Sequence, residues 1–203
     1  WCHRSVSEGR LHRCVYPAFH QIGSQVRKMH ARSVGASKSP MVISIPFGGG
    51  IGSPEHHSES LEAYFAHTAG LRTVACSNPE DAYWMIQQAI ACDDPVIFFE
   101  PKRRYHDKAE YDPDAAAAPR GLFEANVVRA GTDVTVVGYG PVVKTMLEAA
   151  AAAATEGTSP QVIDLRSLSP IPLDVIPASG RQPGRPRGVP EPRRPPGLSP
   201  ADP

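Results

Sequence analysis

Residues 41–80 read MVISIPFGGGIGSPEHHSESLEAYFAHTAGLRTVACSNPE, and this stretch decides the class of fold. Its first six residues form a short apolar run rich in β-branched side chains, which is typical of a buried strand. Residues 58–70 have helical spacing and end at Gly70, after which 71–77 again favours a strand. A strand, a loop, a helix and a strand in that order indicate a parallel sheet with helical crossovers.

The same alternation extends in both directions from this stretch. A helix that begins at Ser77-Asn-Pro-Glu80, with Pro79 in the first helical position, is predicted directly after it. The other predicted elements are the helix 18–31, the strand 95–100, the strand 133–140, the helix 141–157 and the strand 161–168. We therefore predict the α/β class: a doubly wound, mostly parallel sheet followed by the start of a second α/β domain.

The two ends of the chain differ from this middle in composition. Residues 1–13 show neither helical nor strand periodicity, and ten of the 22 prolines lie in the last 32 residues. The segment 171–203 is rich in Pro, Arg and Gly and has too few apolar side chains to offset the entropy of ordering it, so we expect a disordered tail. Because the composition changes abruptly inside an α/β pattern, we expect a fragment truncated at both ends, with termini out of frame with the middle.

Charge and hydropathy argue against several classes of protein. Lys plus Arg and Asp plus Glu both number 21, so the formal net charge is zero, which argues against a protein that coats nucleic acid or an anionic membrane. No apolar run is long enough to span a bilayer. The four cysteines, at positions 2, 14, 76 and 92, are too scattered for a disulfide scaffold or a zinc site. The cytoplasm, a reducing compartment, is therefore the expected location.

The glycine-rich stretch 48–60, GGGIGSPEHHSES, holds the best candidates for chemistry. A glycine turn that ends at a helix N-terminus places backbone N–H groups where an anion or an acyl oxygen can bind. A histidine at that edge can donate to a developing oxyanion or transfer a proton. The alternative is a surface turn in which Ser58 caps the helix and the histidines are solvated. The residues expected to form a substrate loop are Gly50, Gly52, His56 and Ser58.

Other motifs carry weaker signals. Gly138-Tyr-Gly140 follows a predicted strand, but Val143 replaces the third glycine of the dinucleotide-binding fingerprint, so a tight turn is favoured. The sequence contains no serine elbow, P-loop or HExxH pattern, and no Gly-Asp-Gly followed by Asn that would hold Mg²⁺ and a diphosphate. Cys76 and Cys92 are expected to be buried and inert.

Five separated motifs, in order, carry a specific resemblance. They are YPAFHQI (16–22), HHSESLEAYFAHTAGL (56–71), SNPEDA (77–82), DDPVIFFEPKRRY (93–105) and VIDLRSLSPI (162–171). Together they resemble the beta subunit of the thiamine-diphosphate-dependent decarboxylating component of 2-oxo acid dehydrogenase complexes. The residues of these motifs are most similar to those of the branched-chain type, 2-oxoisovalerate dehydrogenase. Pyruvate dehydrogenase beta subunits are the next most similar group.

The resemblance implies a domain plan and a shared cofactor. It implies an unmatched segment 1–13, a partial pyrimidine-binding domain at 14–105, a linker at 106–131, the start of a transketolase C-terminal-like domain at 132–170 and the tail 171–203. In this family the beta subunit shares thiamine diphosphate with an alpha subunit in a heterotetramer, and the alpha subunit holds the diphosphate and Mg²⁺. The lipoyl acyltransferase core is the further partner that the resemblance implies.

The resemblance also implies roles for individual residues. His57 matches the family's active-site histidine, with His56 and Glu59 where relatives often have Tyr and Gln. Main-chain oxygens at the positions of Met41, Ala89 and Asp94 hold a structural K⁺ in similar proteins, although Cys92 stands where an Asp ligand is common. The family's glutamate that activates the cofactor precedes the YPAF motif, and Glu8 lies in residues that do not match. We therefore assign no cofactor-binding residue to this chain.

Three functional hypotheses follow. The first is oxidative decarboxylation of a branched-chain 2-oxo acid, with acyl transfer to lipoamide, as part of a complete subunit; the fragment alone is expected to be inactive. The second is a non-catalytic truncated product that at most pairs with an alpha subunit. The third, transketolase or deoxyxylulose-phosphate synthase, shares the fold but carries both halves of the site on one chain. In a eukaryote the expected location becomes the mitochondrial matrix.

Overall fold

The computed structural model describes residues 5–8, 15–53, 57–110, 118–173, 175 and 186–188. The helices in these ranges are α1 (Val15–Ser24), α2 (Met29–Arg32), α3 (Glu62–Ala66), α4 (Pro79–Ala91) and α5 (Val142–Thr155). None of the helices in this part of the chain is long and apolar enough to cross a membrane.

A five-stranded sheet forms the first half of the fold. Its strands are β1 (Ser5–Glu8), β2 (Met41–Phe47), β3 (Arg72–Ala75), β4 (Val96–Pro101) and β8 (Ser167–Ser169). They lie in the order β1-β2-β4-β3-β8. The first four are parallel, and β8 pairs antiparallel with β3 at the edge. Sequence-distant strands therefore complete one sheet.

Side chains of this sheet alternate between two apolar cores. Along β4, Ile97 and Phe99 enter the core that contains α1 and α3, whereas Val96 and Phe98 enter the core that contains α4. The alternation follows from the two-residue period of a strand, and both faces are buried because helices cover both. The apolar run of 95–100 is therefore a central strand of a doubly wound sheet, and the predicted class of fold is confirmed.

The N-terminus of α4 shows how local sequence sets an element boundary. Asn78 caps the helix by accepting a hydrogen bond from the Asp81 N–H at 2.9 Å, and Pro79 is the first helical residue, as predicted. Ser77, the first residue of the predicted helix start, lies before this cap. Met85 and Ala89 of this helix are buried against the sheet.

The second sheet packs against α5. Its strands are β5 (Asn126–Arg129), β6 (Val134–Gly138), β7 (Pro160–Asp164) and β9 (Pro186–Gly188), in the order β5-β7-β6-β9. The strand β6 is parallel to β7 and β9, and β5 is antiparallel to β7. Met146 and Ala150 of α5 pack on Val162 in a separate core. The predicted strand-helix-strand unit after residue 132 is present.

Several elements differ from the sequence-based predictions because pairing with distant strands orders segments that lack a pattern of their own. The segment 1–13 contains β1, which pairs with β2, although it has no strand periodicity. The predicted linker 106–131 contains β5, and the predicted disordered tail 171–203 contains β9. The rest of residues 1–13 and most of the tail lie outside the described residues.

The helix predicted at 58–70 and the strand predicted at 161–168 also differ. The helix α3 spans only Glu62–Ala66, because Ser58 and Glu59 before it are held by hydrogen bonds to the loop that follows β2. The predicted strand divides into β7 in the second sheet and β8 in the first, with Arg166 between them at φ +56°. The chain therefore crosses from one sheet to the other at this residue.

Candidate functional site

The loop after β2 forms the candidate site at the carboxyl end of the first sheet. The Gly48 N–H donates to the Glu59 carbonyl oxygen at 3.0 Å, and the Ser58 hydroxyl donates to the Ser53 carbonyl oxygen at 2.5 Å. These two bonds close the loop on itself. Ser58 therefore staples the loop rather than capping α3, whose N-cap is Leu61 without a side-chain cap. The structure therefore contradicts the alternative interpretation, in which Ser58 caps the helix.

His57 lies on this closed loop with its side chain exposed. Its carbonyl oxygen accepts a hydrogen bond from the Lys102 ammonium, which follows β4. The backbone of the histidine is thus held while the imidazole remains accessible. Such an arrangement suits a side chain that donates a hydrogen bond or a proton to a bound molecule.

Gly50 occupies a conformation that a larger residue adopts only with strain. Its φ is +85°, and a Cβ at this position would lie 2.5 Å from Cδ of Arg103. Gly52 also has a positive φ, +75°, but a Cβ there would contact no described residue beyond its chain neighbours. The glycines predicted for the substrate loop therefore serve its sharp turns. His56, the remaining predicted loop residue, lies outside the described residues.

A tyrosine and a glutamate beside the loop form a pair that the sequence did not indicate. Partial burial and the nearby Glu59 carboxylate raise the pKa of the Tyr16 phenol, which hydrogen-bonds to Glu59. The second carboxylate oxygen, Glu59 Oε2, is buried without a hydrogen-bond partner among the described residues. An unsatisfied buried acceptor of this kind is costly, and a donor from a ligand would satisfy it.

Aromatic side chains form the floor beneath the loop. The Phe47 and Phe99 rings meet edge to face at 5.2 Å between centroids, Phe65 meets Phe99 at 5.8 Å, and Phe19 meets Phe65 at 5.3 Å. These packed rings give the loop a rigid apolar support. Beside them a cavity of about 200 Å³ is lined by Val15, Tyr16, Phe19, Leu61, Tyr64 and Phe65.

The turn after β6 docks on this same floor. The Tyr139 hydroxyl donates to Glu62 Oε1 at 3.0 Å, and Gly140, at φ +60°, lies so close to Phe47 that a Cβ would be 2.8 Å from the ring. Gly138-Tyr-Gly140 therefore joins the second unit to the first. A tight turn was the favoured interpretation of this motif, and its glycine serves close packing.

The residues expected to hold a structural cation lie at the opposite end of the sheet. Met41 begins β2, and Ala89 and Asp94 lie near the connection from α4 to β4. The Ala89 carbonyl oxygen accepts from the Cys92 N–H at 3.1 Å, and the Asp94 carboxylate is paired with Arg72 at 2.8 Å. The Asp94 carboxylate is therefore already paired, and a K⁺ ion at this place would bind main-chain oxygens. The site stays a prediction.

No set of three or more His, Cys, Asp or Glu side chains within the described ranges is arranged to hold a metal ion. Cys76 is buried, as expected, and its thiol donates to the Phe99 carbonyl oxygen at 3.6 Å, whereas Cys92 is half-buried. Burial raises the pKa of the Cys76 thiol strongly, so it remains protonated and unreactive.

Comparisons of the sequence with known proteins find two domain families. The family described as "Transketolase, pyrimidine binding domain" matches residues 10–108, and "Transketolase, C-terminal domain" matches residues 124–201. A protein named pyruvate dehydrogenase E1 component subunit beta from Leifsonia xyli subsp. xyli is 52% identical over 90% of this chain and 54% of its own length. A protein named 3-methyl-2-oxobutanoate dehydrogenase subunit beta from Mycobacterium tuberculosis is 49% identical over 84% of the chain and 49% of its own length.

The chain therefore spans about half the length of the curated relatives it matches. Among solved structures, a chain described as "Split gene transketolase, inactive beta4 tetramer" superposes with a TM-score of 0.72 at 20% identity, over 92% of this chain and 56% of that one. At this level of identity the superposition supports the fold alone.

Proposed function

This chain belongs to the family of beta subunits of the decarboxylating component of 2-oxo acid dehydrogenase complexes, and on that premise we propose that it takes part in the oxidative decarboxylation of a branched-chain 2-oxo acid, with acyl transfer to lipoamide. The observation that carries the proposal is the accessible His57 on a loop closed by backbone hydrogen bonds. Pyruvate is the alternative substrate, since relatives of both names match the chain at similar identity.

His57 is the proposed catalytic residue. Its imidazole can donate to the carboxylate or keto oxygen of a 2-oxo acid and can donate again to an oxyanion that develops during acyl transfer. The Lys102 bond to its carbonyl oxygen and the Ser58 staple keep its backbone in place. Preorganisation of this kind lowers the cost of orienting the side chain when substrate binds.

The family depends on thiamine diphosphate, and the described residues fit the organic part of that cofactor. When bound, thiamine diphosphate supplies the electron sink for loss of CO₂. The residue that would hold it is Glu59, whose unsatisfied Oε2 can accept from an amino group. Phe47 and Phe99 are fully buried and support the loop from within the core. We propose that the diphosphate and its Mg²⁺ bind to an alpha subunit, and that a K⁺ ion binds main-chain oxygens near Met41, Ala89 and Asp94.

The partners follow from the same premise. An alpha subunit would complete the cofactor site, and the lipoyl acyltransferase core would receive the acyl group. We make no assignment of a residue that activates the cofactor.

Reconstitution tests the proposal. The 203-residue chain is mixed with an alpha subunit of such a component, thiamine diphosphate and Mg²⁺, and release of CO₂ is followed with 2-oxoisovalerate or pyruvate as substrate. The His57→Ala variant is expected to lower the rate by about 10²-fold or more, because general acid catalysis typically contributes at least that factor. The matched control is His67→Ala, which removes another exposed histidine just after α3.

Two outcomes would contradict the proposal. One is turnover that survives the loss of the His57 imidazole. The other is an alpha-beta complex that forms but gives no turnover while a full-length beta subunit under the same conditions is active. A preference for pyruvate would correct the substrate and leave the reaction class intact.

A further inference from the structure

A buried guanidinium lies where the two α/β units meet. The Arg166 side chain is 1% exposed, and its Nε donates to Asp81 Oδ1 at 2.9 Å. Its Nη1 donates to the carbonyl oxygens of Gly121 at 2.9 Å and Glu124 at 2.8 Å. One side chain therefore ties together α4, the segment before β5 and the end of β7.

A second carboxylate lies beside this pair. Asp164 is fully buried; its Oδ2 accepts from the Ser77 hydroxyl at 2.5 Å, and its Oδ1 accepts from the Arg166 backbone N–H at 3.1 Å. Ser77 also accepts from the Asn78 side-chain amide at 3.1 Å, which links the cluster to the cap of α4. The Ser77–Asp164 and Asp81–Arg166 hydrogen bonds each join a residue of the first unit to a residue of the second.

The backbone at this place joins the two sheets. The Ala75 N–H donates to the Arg166 carbonyl oxygen at 2.8 Å, immediately before the chain enters β8 and pairs with β3. The cluster made of Ser77, Asp81, Asp164 and Arg166 is here termed the junction cluster. It therefore adjoins β8, the strand by which the described part of the second half of the chain enters the first sheet.

The charges of the junction cluster do not balance when both carboxyls are ionised. Two buried carboxylates then face one guanidinium, and an unbalanced buried charge is costly, so one carboxyl retains its proton. Burial is the main cause that raises the pKa of Asp164 to about 7, and the Asp81 carboxylate adds to it, whereas Ser77 and Arg166 act in the opposite direction. Among the described residues the Cys76 thiol also faces Asp164, and it stays neutral because burial raises its pKa.

We propose that the junction cluster is a pH-sensitive latch between the two α/β units, closed while Asp164 is protonated and loosened when it ionises. In the closed state Arg166 neutralises Asp81, and the Asp164 carboxyl donates or accepts within the cluster without net charge. Ionisation adds a second carboxylate to the same buried space and weakens the hold of β8 on β3. The latch is argued from the geometry and charge of the junction cluster and is independent of the proposed catalytic function.

The direction of the pH effect follows from linkage. Between the ordinary value of 3.8 and about 7, the native state keeps a proton on Asp164 that the unfolded state has released. The stabilising contribution of this carboxyl is therefore complete below about pH 3.8 and lost as the pH rises to about 7. Within pH 6 to 8 the latch loosens as the solution becomes more alkaline.

Carboxyl-carbon NMR of the intact 203-residue chain measures the titration of Asp164, and amide hydrogen exchange, corrected for the intrinsic pH dependence, measures the protection of the Ala75 N–H. We expect Asp164 to titrate near neutrality and Ala75 protection to fall over the same range. A titration midpoint at an ordinary aspartate value, or Ala75 protection that does not change with pH, would overturn the latch.

Two isosteric variants separate a latch from a merely structural cluster. Asp164→Asn is expected to remove the pH dependence of Ala75 protection between pH 6 and 8. Asp81→Asn removes the carboxylate that competes with Asp164 for the Arg166 charge. The titration midpoint of Asp164 is therefore expected to fall by about one pKa unit or more. The control is Asp93→Asn, an exposed partner of Lys38, which should leave both readouts unchanged. A pH dependence that persists in Asp164→Asn, or an Asp164 midpoint that does not fall in Asp81→Asn, would overturn the proposal.

Discussion

At the scale of single residues, hydrogen bonds decide which side chains of the candidate loop act and which only support it. Ser58 was a candidate for capping a helix or contacting substrate, but its hydroxyl is used by the Ser53 carbonyl oxygen. His57 has its carbonyl oxygen bound and its side chain exposed. The sequence HHSES does not indicate which residue holds the loop and which contacts a bound molecule, because both histidine and serine can do either.

The staple gives a residue-scale prediction. Ser58→Ala removes one hydrogen bond and is expected to loosen the loop by about 1 kcal/mol, which corresponds to about fivefold faster exchange of the Gly48 amide. That amide reports on the loop because it donates to the Glu59 carbonyl oxygen. Ser53→Ala is the matched control, since Ser53 contributes only its backbone to the staple. An unchanged exchange rate in Ser58→Ala would show that the bond does not hold the loop.

At the scale of elements, the apolar periodicity predicted the central strands well. The strands predicted at 41–46, 71–77 and 95–100 agree with β2, β3 and β4 to within a few residues, because each is buried on both faces. The pattern failed for α3, which is shorter than its helical spacing indicates. Tertiary hydrogen bonds hold residues 58 and 59 in the loop and override their helical preference.

The turn after β6 gives an element-scale prediction. Gly140→Ala adds a Cβ 2.8 Å from the Phe47 ring at φ +60°, so it is expected to lower the free energy of unfolding by more than the roughly 1–2 kcal/mol that left-handed backbone costs an ordinary residue. Gly157→Ala isolates that backbone cost, since φ is +84° there and a Cβ would have no described residue within 4 Å apart from its chain neighbours. Denaturant unfolding measures both; equal losses would mean that the turn does not pack on Phe47.

At the scale of the whole molecule, polar groups far apart in sequence hold the two units together. Asp81 and Arg166 are 85 positions apart, and Ser77 and Asp164 are 87 apart. The β8 pairing with β3 and the Tyr139 bond to Glu62 add to the same junction. The boundary between the two units therefore contains the buried Asp81–Arg166 pair, and the units also share the first sheet through β8.

Removal of the central guanidinium tests this boundary. Arg166→Met leaves Asp81 Oδ1 and the carbonyl oxygens of Gly121 and Glu124 without the guanidinium donor, and is expected to lower the free energy of unfolding by about 3–5 kcal/mol. Arg72→Met is the control, because the Arg72–Asp94 pair is 40% and 36% exposed and should contribute about 1 kcal/mol or less. Calorimetry of both variants measures the difference, and comparable losses would show that the junction pair is no stronger than a surface one.

The sequence by itself determined the class of fold, the central strands, the start of α4 and the family, because each depends on local periodicity or on short motifs whose residues are close in the chain. The tertiary structure alone decided that β1, β5 and β9 form, that Ser58 staples a loop, and that Asp164 and Arg166 are buried together. A charged residue in a sequence gives no sign of its partner, because that partner is brought near only when the apolar faces of distant elements pack.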